Sequence, residues 1–232
     1  MPQAHEMVAE IERAPVGASS VYALSRSLVM VAQPAGGAAE AIRALRTHVM
    51  AQHVEEGRRA LAVCAATEGV GCTYIATNLA VAMAQIGVKT LLIDGNLRQP
   101  GVEQLMRPNA ASSGLAQCLA SDDDNLAAFV EAEVVPNLSV MYAGASSGSP
   151  QELLAGERFE AMMNVCLRDY EFTIADTPPA NSCSDGRRIS RVFGYSMVVA
   201  RRNHTRVDDL KTIVAQLQGD HAKVIGTVLN EF

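Results

Sequence analysis

Short apolar runs alternate along the chain with longer stretches in which apolar and polar residues recur at helical spacing. Apolar runs of about four to eight residues between turn residues are typical of buried strands, and apolar positions three and four residues apart indicate helices. Strands are therefore predicted at residues 61–66, 90–93, 138–142, 172–175, 196–200 and 224–229. Helices are predicted at residues 40–50, 72–86, 113–120, 125–132, 151–167, 184–192 and 207–217.

This alternation of strands and helices predicts the fold class. Strand–helix–strand repeats form parallel sheets whose helices cover both faces. We therefore expect an α/β fold with a mostly parallel central sheet of about seven strands. Residues 36–232 are predicted to form a single domain. Residues 1–35, where Pro15 and Gly17 interrupt the pattern, are predicted to be an N-terminal extension that is partly mobile.

The composition agrees with one cytoplasmic domain. The 232 residues are long enough for a sizeable core, and 49% of them are hydrophobic. A net charge of −6 argues against a general nucleic-acid binder. No apolar run approaches the ~18 residues that a membrane-spanning helix needs, and the N-terminus lacks the apolar core of a secretion signal. The five cysteines form no Cys-x-x-Cys pair, which is typical of reduced thiols in the cytosol.

A glycine-rich turn separates the first predicted strand from the helix at 72–86. It follows the phosphate-loop pattern G-x-x-x-x-G-K-[ST], with Ala66 in the first place, Gly71 in the sixth and Thr73 in the last. Glycines let backbone N–H groups converge on an anion, and the helix that starts there adds the positive end of its dipole. The alternative is a turn that only joins strand to helix. The residues expected to contact a nucleotide here are Glu68, Gly69, Val70, Gly71, Cys72, Thr73 and Tyr74.

Cys72 occupies the place of the loop lysine. The ammonium group of that lysine normally reaches the outer phosphates, and a charge-assisted hydrogen bond contributes about 1.5–3 kcal/mol. Its absence is expected to weaken nucleotide binding by about ten- to a hundredfold and phosphate transfer by about a hundred- to a thousandfold. A thiolate at a helix N-terminus would repel phosphates. We favour the alternative, a neutral thiol that fills a small space.

Two predicted strands end in aspartate. Asp94 follows the apolar run at 90–93, and Asp176 follows the run at 172–175. Because the carboxyl ends of parallel strands meet at one edge of a sheet, both carboxylates are expected beside the glycine turn. Together with the hydroxyl of Thr73 they form a predicted Mg²⁺–nucleotide site. The alternative for a single strand-terminal aspartate is a turn cap, and two of them beside the loop favour the site.

Three motifs in this order resemble those of the bacterial tyrosine kinases of capsule and exopolysaccharide export (BY-kinases). They are the loop TEGVGCT at 67–73, the apolar-D-x-D-x-R motif as LLIDGNLR at 91–98, and the apolar-D-x-P-P motif as FTIADTPP at 172–179. The segment EAIRALRT at 40–47 is similar to the family's E-x-x-R-x-x-R oligomerisation helix. The wider relatives are the MinD and ParA P-loop ATPases.

The resemblance implies roles for individual residues. Thr73, Asp94 and Asp176 are expected to attend Mg²⁺, with Asp94 and Asp176 as the catalytic carboxylates. Arg98 completes the second motif, and Asn230 falls where relatives contact adenine. The implied cofactors are ATP or ADP with Mg²⁺. The implied partners are further copies of the chain, arranged in a ring, and a polysaccharide co-polymerase of the inner membrane that holds a cytoplasmic protein at the membrane surface.

The charged positions of the helix at 40–50 allow two interpretations. Glu40, Arg43 and Arg46 recur every three residues, which by spacing alone favours a solvated face with internal ion pairs. The resemblance instead implies that these residues form a contact between subunits.

The chain also departs from the family pattern. Cys72 replaces the lysine, Asn96 replaces the second aspartate of D-x-D, and no tyrosine cluster stands before Phe232. We therefore expect weak nucleotide binding and a role mainly as a regulator or scaffold of the co-polymerase. An active tyrosine kinase or ATPase, in which Arg98, Arg202 or a partner's cation replaces the lysine, is the first alternative. A MinD-like positioning ATPase is the second.

Overall fold

The computed structural model describes residues 22–108, 112–121, 125–145 and 148–231. Within them, one sheet has seven strands in the order β5-β6-β3-β7-β2-β8-β9. Its strands are β2 (Ala60–Cys64), β3 (Thr90–Asp94), β5 (Glu131–Val135), β6 (Leu138–Met141), β7 (Phe172–Asp176), β8 (Tyr195–Arg201) and β9 (Lys223–Asn230). A second sheet pairs β1 (Tyr22–Leu24) with β4 (Met106–Pro108) in antiparallel fashion.

Helices cover both faces of the large sheet. They are α1 (Val29–Ala32), α2 (Gly37–Val49), α3 (Cys72–Ala84), α4 (Val102–Leu105), α5 (Leu115–Ala120), α6 (Pro150–Ala155), α7 (Glu157–Asp169), α8 (Asp185–Phe193) and α9 (Val207–Gly219). A π-helical turn, Met50–Val54, extends α2, and a 3₁₀ turn occupies Leu126–Phe129.

The predicted fold class is confirmed. Every neighbouring pair in the large sheet is parallel except β5 with β6. The central strands β2, β3 and β7 are buried along their whole length, as expected of strands covered on both faces. Alternate residues of each strand therefore enter two separate cores, so that Leu61 and Val63 face one core while Ala62 and Cys64 face the other.

The helix predicted at 125–132 is wrong. The chain there forms the short 3₁₀ turn and then β5, which runs antiparallel to β6 at the edge of the sheet. A tertiary contact supports this strand, because the hydroxyl of Tyr22 donates a hydrogen bond to Glu131 over 3.0 Å. The seventh strand of the sheet is thus one that local periodicity did not indicate.

The helix predicted at 151–167 is interrupted. Gly156 is extended, with φ −71° and ψ 154°, and separates α6 from α7. The guanidinium of Arg188 on α8 donates to the backbone carbonyls of Leu154 and Ala155 at this break. A distant side chain therefore satisfies carbonyls that the end of α6 leaves without helical partners.

Part of the predicted N-terminal extension packs into the domain. Leu28 and Met30 are buried in the core. The amide of Asn78 on α3 holds this segment, because its Oδ1 accepts from the Met30 N–H and its Nδ2 donates to the Ser27 carbonyl. The packed unit therefore includes residues 22–35, whereas residues 1–21 lie outside the described part of the chain. Among the described helices, none is long and apolar enough to cross a membrane.

Candidate nucleotide site

The glycine-rich turn adopts the geometry of an anion-binding loop. It links β2 to α3, and Gly69 and Gly71 have positive φ angles of 71° and 93° on either side of the buried Val70. Alternation between left-handed and ordinary backbone turns successive N–H groups toward one side. Within the described chain, the amides of residues 68–71 donate to no other backbone carbonyl. The loop is therefore shaped to receive an anion at the start of α3.

A cavity of about 520 Å³ opens in front of this loop. The predicted loop residues Glu68 to Tyr74 all line it, together with Asn96, Gln99 and Gly101 from the segment after β3. Ser27, from the N-terminal segment, lies at the same wall, and sequence analysis did not find it. Among the described residues that line it, none is lysine or arginine. The cavity is thus bounded by backbone amides without a side-chain cation.

Thr73 and Asp176 lie together at the floor of the site. The Thr73 hydroxyl donates to Asp176 Oδ2 over 2.5 Å. Asp176 is 1% exposed, and its other oxygen, Oδ1, is buried without a hydrogen-bond partner among the described residues. A hydroxyl beside a carboxylate with an unused oxygen is the ligand set that Mg²⁺ takes next to nucleotide phosphates. These two residues therefore fit the predicted metal.

Asp94 has a different environment. The register places it directly beside Asp176 on neighbouring parallel strands. Its Oδ1 accepts from the N–H of Asn96 over 3.1 Å, and its Oδ2 accepts from the N–H groups of Gly101 and Val102 over 3.0 Å each. The carboxylate therefore closes the segment 95–102 upon itself, and both oxygens that it would offer a metal or a substrate hydroxyl are engaged.

Burial raises the pKa of both carboxyls. The pKa of Asp94 rises to about 6, because loss of solvation outweighs the stabilising amides of Val102, Asn96 and Gly101. The pKa of Asp176 rises well above its ordinary value because of burial and then the negative charge of Asp94, although the Thr73 hydroxyl opposes the rise. A nearby cation would relieve the cost of this buried charge.

The thiol of Cys72 is neutral. Burial, followed by the negative charge of Asp176, raises the pKa of Cys72 well above its ordinary range, although part of the side chain is exposed at the cavity. These effects outweigh the helix dipole, which taken alone favours a thiolate. The cysteine therefore neither repels a phosphate nor attracts it as an ammonium would.

The two arginines proposed to replace the lysine lie elsewhere. Arg98 pairs with the buried Asp185 at the start of α8 over 2.8 Å, and Arg202 pairs with Glu231 over 3.2 Å. Neither lines the cavity. Asn230, predicted at the adenine, is 7% exposed, and its Nδ2 donates to the carbonyl of Val70 over 2.9 Å. It thus contacts the loop itself.

The charged residues of α2 are satisfied within the chain. Arg43 pairs with Glu40 over 2.9 Å and also donates to the carbonyl of Pro34. Arg46 donates to the carbonyl of Ala82 on α3 over 3.3 Å. This is the internal ion-pair arrangement that spacing alone favours, and the predicted subunit contact stays a prediction.

Comparison with known proteins places this geometry in a family. The family model of an AAA domain matches residues 58–186, more than half of the chain. The CapB protein of Staphylococcus aureus is 30% identical over 200 residues, which cover 86% of this chain and 86% of CapB. The chain belongs to the BY-kinase family. This family lies within the P-loop ATPases, which in general use nucleotide and Mg²⁺, and the present member lacks the loop lysine.

Longer relatives and solved structures agree with this BY-kinase assignment. The tyrosine-protein kinase Etk of Escherichia coli is 30% identical over 86% of this chain, but the match covers 27% of Etk. Its kinase domain superimposes with a TM-score of 0.82 at 29% identity, covering 88% of this chain and 79% of that domain. The chimerical protein CapA2B2 superimposes with a TM-score of 0.80 at 28% identity, covering 89% and 90%.

More distant similarity supports the fold alone. The septum site-determining protein MinD of Pyrococcus horikoshii, solved with Mg-ADP, superimposes with a TM-score of 0.62 at 16% identity over 74% of this chain and 70% of MinD. The present BY-kinase homologue thus shares its fold with MinD-like ATPases.

Proposed function

We propose that this chain is a nucleotide-binding component of capsule or exopolysaccharide export, which binds Mg–adenine nucleotide weakly and acts mainly as a regulator or scaffold of a membrane co-polymerase. One observation carries the proposal. The amide cradle and the Thr73–Asp176 pair are retained, whereas a neutral thiol stands at the lysine position and the part of the chain that the structure describes places no basic residue in the cavity lining.

The retained residues support binding more than phosphate transfer. The amides of Gly69 to Thr73 hold phosphate oxygens at the start of α3, and Thr73 with Asp176 holds the metal. Mg²⁺ supplies positive charge that the loop itself lacks. Phosphate transfer also needs charge stabilisation at the outer phosphate and a carboxylate that accepts the incoming hydroxyl's proton. Cys72 does not provide the first, and Asp94 is engaged by backbone amides.

The alternative functions have less support. An active kinase or ATPase needs a replacement cation, but Arg98 and Arg202 are paired with Asp185 and Glu231 outside the cavity. The alternative of a MinD-like positioning ATPase rests on structural similarity at 16% identity, which supports the fold and not the activity.

Replacing Cys72 tests the binding part of the proposal. Cys72→Lys restores an ammonium that reaches the outer phosphates, so affinity for Mg-ATP in calorimetry is expected to rise about tenfold or more. Cys72→Gln, which is long and polar but uncharged, is the matched control and is expected to give less than a third of that gain. An equal gain from both variants would mean that side-chain length, and not charge, limits binding.

Phosphate transfer tests the regulatory part. With radiolabelled ATP, the wild-type protein is expected to label tyrosine at background level, alone or with a tyrosine-containing peptide. Robust labelling that disappears in Asp176→Asn would overturn the proposal in favour of an active kinase.

The proposed ring assembly rests on α2. Glu40 and Arg43 are 72% and 30% exposed, so their internal ion pair can exchange for one with another subunit at little cost. Arg43→Glu with Arg46→Glu places three acidic side chains on this face. It is expected to reduce the oligomer order measured by light scattering, and a monomeric wild type at all concentrations would contradict this assembly.

A further inference from the structure

Three side chains hold three consecutive carbonyls of the phosphate loop from behind. His204 Nε2 contacts the Glu68 oxygen at 3.2 Å, Arg201 donates to the Gly69 oxygen over 2.9 Å, and Asn230 Nδ2 donates to the Val70 oxygen over 2.9 Å. Because a carbonyl oxygen accepts, the His204 Nε2 carries a proton in this contact. None of the three residues lines the cavity.

The topology explains why these residues meet the loop. Strand β8 lies beside β2, and β2 ends at Cys64 opposite Val198. Strand β8 continues to Arg201, so its end and the following turn lie alongside the loop. Strand β9 brings Asn230 opposite Arg201. The three donors thus come from the ends of adjacent strands and not from the loop's own neighbourhood in sequence.

Holding these carbonyls also fixes the amides. In a trans peptide the C=O of one residue and the N–H of the next point in opposite directions. Carbonyls held behind the loop at positions 68, 69 and 70 therefore direct the N–H groups of Gly69, Val70 and Gly71 toward the cavity. These are amides of the cradle that receives phosphate in the proposed function.

Arg201 adds charge to this geometry. A donor bound to a peptide carbonyl polarises the peptide and strengthens the N–H on its other side, and a charged donor does so most. The Gly69 carbonyl and the Val70 N–H belong to one peptide, so the guanidinium acts on phosphate through it. None of the described lining residues is basic, so among them no side-chain cation contributes more directly than this guanidinium.

We propose that Arg201, His204 and Asn230 are positioning residues, which together form a clamp that holds the loop carbonyls from behind. The clamp directs the amides of Gly69, Val70 and Gly71 toward a polyphosphate. Through Arg201 it also supplies part of the positive potential that Cys72 does not. The proposal rests on the proposed nucleotide site. It also gives Asn230 a role that needs no adenine, because its amide is already bonded to Val70.

The first test compares two neighbouring arginines. Affinities for inorganic pyrophosphate and for Mg-ADP are measured by calorimetry with the wild type, Arg201→Gln, Arg201→Lys and Arg202→Gln. The Arg201 bond is solvent-exposed, so Arg201→Gln is expected to weaken both ligands by about three- to tenfold without unfolding the protein. Arg201→Lys, which keeps the charge, is expected to recover most of the loss. Arg202→Gln, whose arginine pairs with Glu231, is expected to match the wild type.

The second test uses Asn230→Ala with the same two ligands. A clamp residue is expected to weaken pyrophosphate and Mg-ADP by the same factor, since both use the amides. A residue that contacts adenine weakens Mg-ADP alone. An Arg201→Gln variant that binds pyrophosphate as the wild type does, or an Asn230→Ala variant that loses only Mg-ADP affinity, would overturn the clamp.

A spectroscopic measurement separates the clamp from the proposed function. In the ligand-free protein, Arg201→Gln is expected to shift the amide resonance of Val70 in NMR spectra, and Arg202→Gln is expected to leave it in place. A wild type that binds neither ligand, together with this shift, would reject the nucleotide site and keep the clamp geometry. An unmoved Val70 resonance would reject the clamp even if nucleotide binds.

Discussion

Asp94 and Asp176 occupy equivalent positions and have opposite environments. They stand side by side at the carboxyl ends of β3 and β7, and both are buried. Three backbone N–H groups donate to Asp94, one to Oδ1 and two to Oδ2. Asp176 accepts one hydrogen bond from Thr73 and keeps one oxygen without a partner among the described residues. Asp94 therefore holds the segment 95–102 in its turn, whereas Asp176 has an oxygen that accepts no hydrogen bond from the described residues.

The contrast teaches that a strand-terminal carboxylate is not by itself a functional group. A buried carboxylate whose oxygens are all bonded contributes to the stability of its loop. A buried carboxylate with an unused oxygen costs folding free energy unless a cation binds to it. We infer that Asp94 acts mainly on the shape of the site, through the segment 95–102, and that Asp176 acts on the metal.

The largest expected effect is the loss of stability on replacing Asp94, which tests its structural role. At pH 5, below its pKa of about 6, Asp94→Ala leaves the buried amide of Val102 and the partly buried amides of Asn96 and Gly101 without their acceptor. The variant is expected to lower the free energy of unfolding by about 2–4 kcal/mol in urea titrations. Asn96→Ala removes one exposed hydrogen bond to Gln99 in the same segment. This control is expected to cost less than about 1 kcal/mol. Equal costs for the two variants would remove the distinction between the aspartates.

The next effect concerns the metal. If Asp176 holds Mg²⁺, Asp176→Asn is expected to reduce the enhancement of ADP affinity by Mg²⁺ by about ten- to a hundredfold. ADP binding without Mg²⁺ is the internal control and is expected to change little, because the loop amides remain. An enhancement that persists in Asp176→Asn would place the metal elsewhere.

The smallest expected effect is a gain in stability in Asp176→Asn, opposite in sign to the loss expected for Asp94→Ala. Asparagine keeps an acceptor for Thr73 and cannot ionise, so Asp176→Asn is expected to stabilise the ligand-free protein at pH 7.5. A variant that loses metal binding while it gains stability would support a site held ready for a cation. A destabilised Asp176→Asn with normal metal affinity would contradict both parts.

The pH dependence of this gain follows from the direction of the pKa shift. The folded protein holds the Asp176 proton more tightly than the unfolded chain does. Below about pH 3.8, the ordinary pKa of aspartate, the carboxyl is protonated in both states and imposes no penalty on the free energy of folding. The penalty grows as pH rises above that value, and the advantage of Asp176→Asn grows with it. Unfolding free energies of both proteins from pH 4 to 7.5 measure this difference. A constant advantage would show that Asp176 ionises as readily in the folded as in the unfolded chain.

The titration of His53 changes the free energy of unfolding with pH in the opposite direction. The useful quantity is therefore the difference in this free energy between the wild type and Asp176→Asn. Burial lowers the pKa of His53, so its contribution to stability is lost as pH falls through its ordinary value of 6.5. This contribution is the same in the wild type and in Asp176→Asn, because His53 lies at the other end of the sheet, beside the start of β8. It therefore cancels in the comparison.

Much of this protein was determined by local sequence. Each predicted parallel strand is present, because a strand buried on both faces must be a short run of apolar residues. The glycine turn, Thr73 and the adjacent strand-end aspartates were also predictable. The two glycines that give the turn its left-handed backbone lie within the turn itself, and parallel pairing by itself aligns Asp94 with Asp176. The loss of the loop cation was evident from Cys72 alone.

Tertiary structure decided the rest, because the deciding contacts are particular hydrogen bonds that the folded backbone brings together. Strand β5 exists at the open edge of β6, although its first two residues lie in the helix predicted at 125–132. The oxygens of Asp94 are taken by amides that only the folded segment brings back to it, whereas those of Asp176 are not. Arg201 and His204 meet the loop across more than a hundred residues of chain, with sequence separations of 132 and 136. Periodicity records which face of an element is buried, but a hydrogen bond between strand ends leaves no period in the sequence.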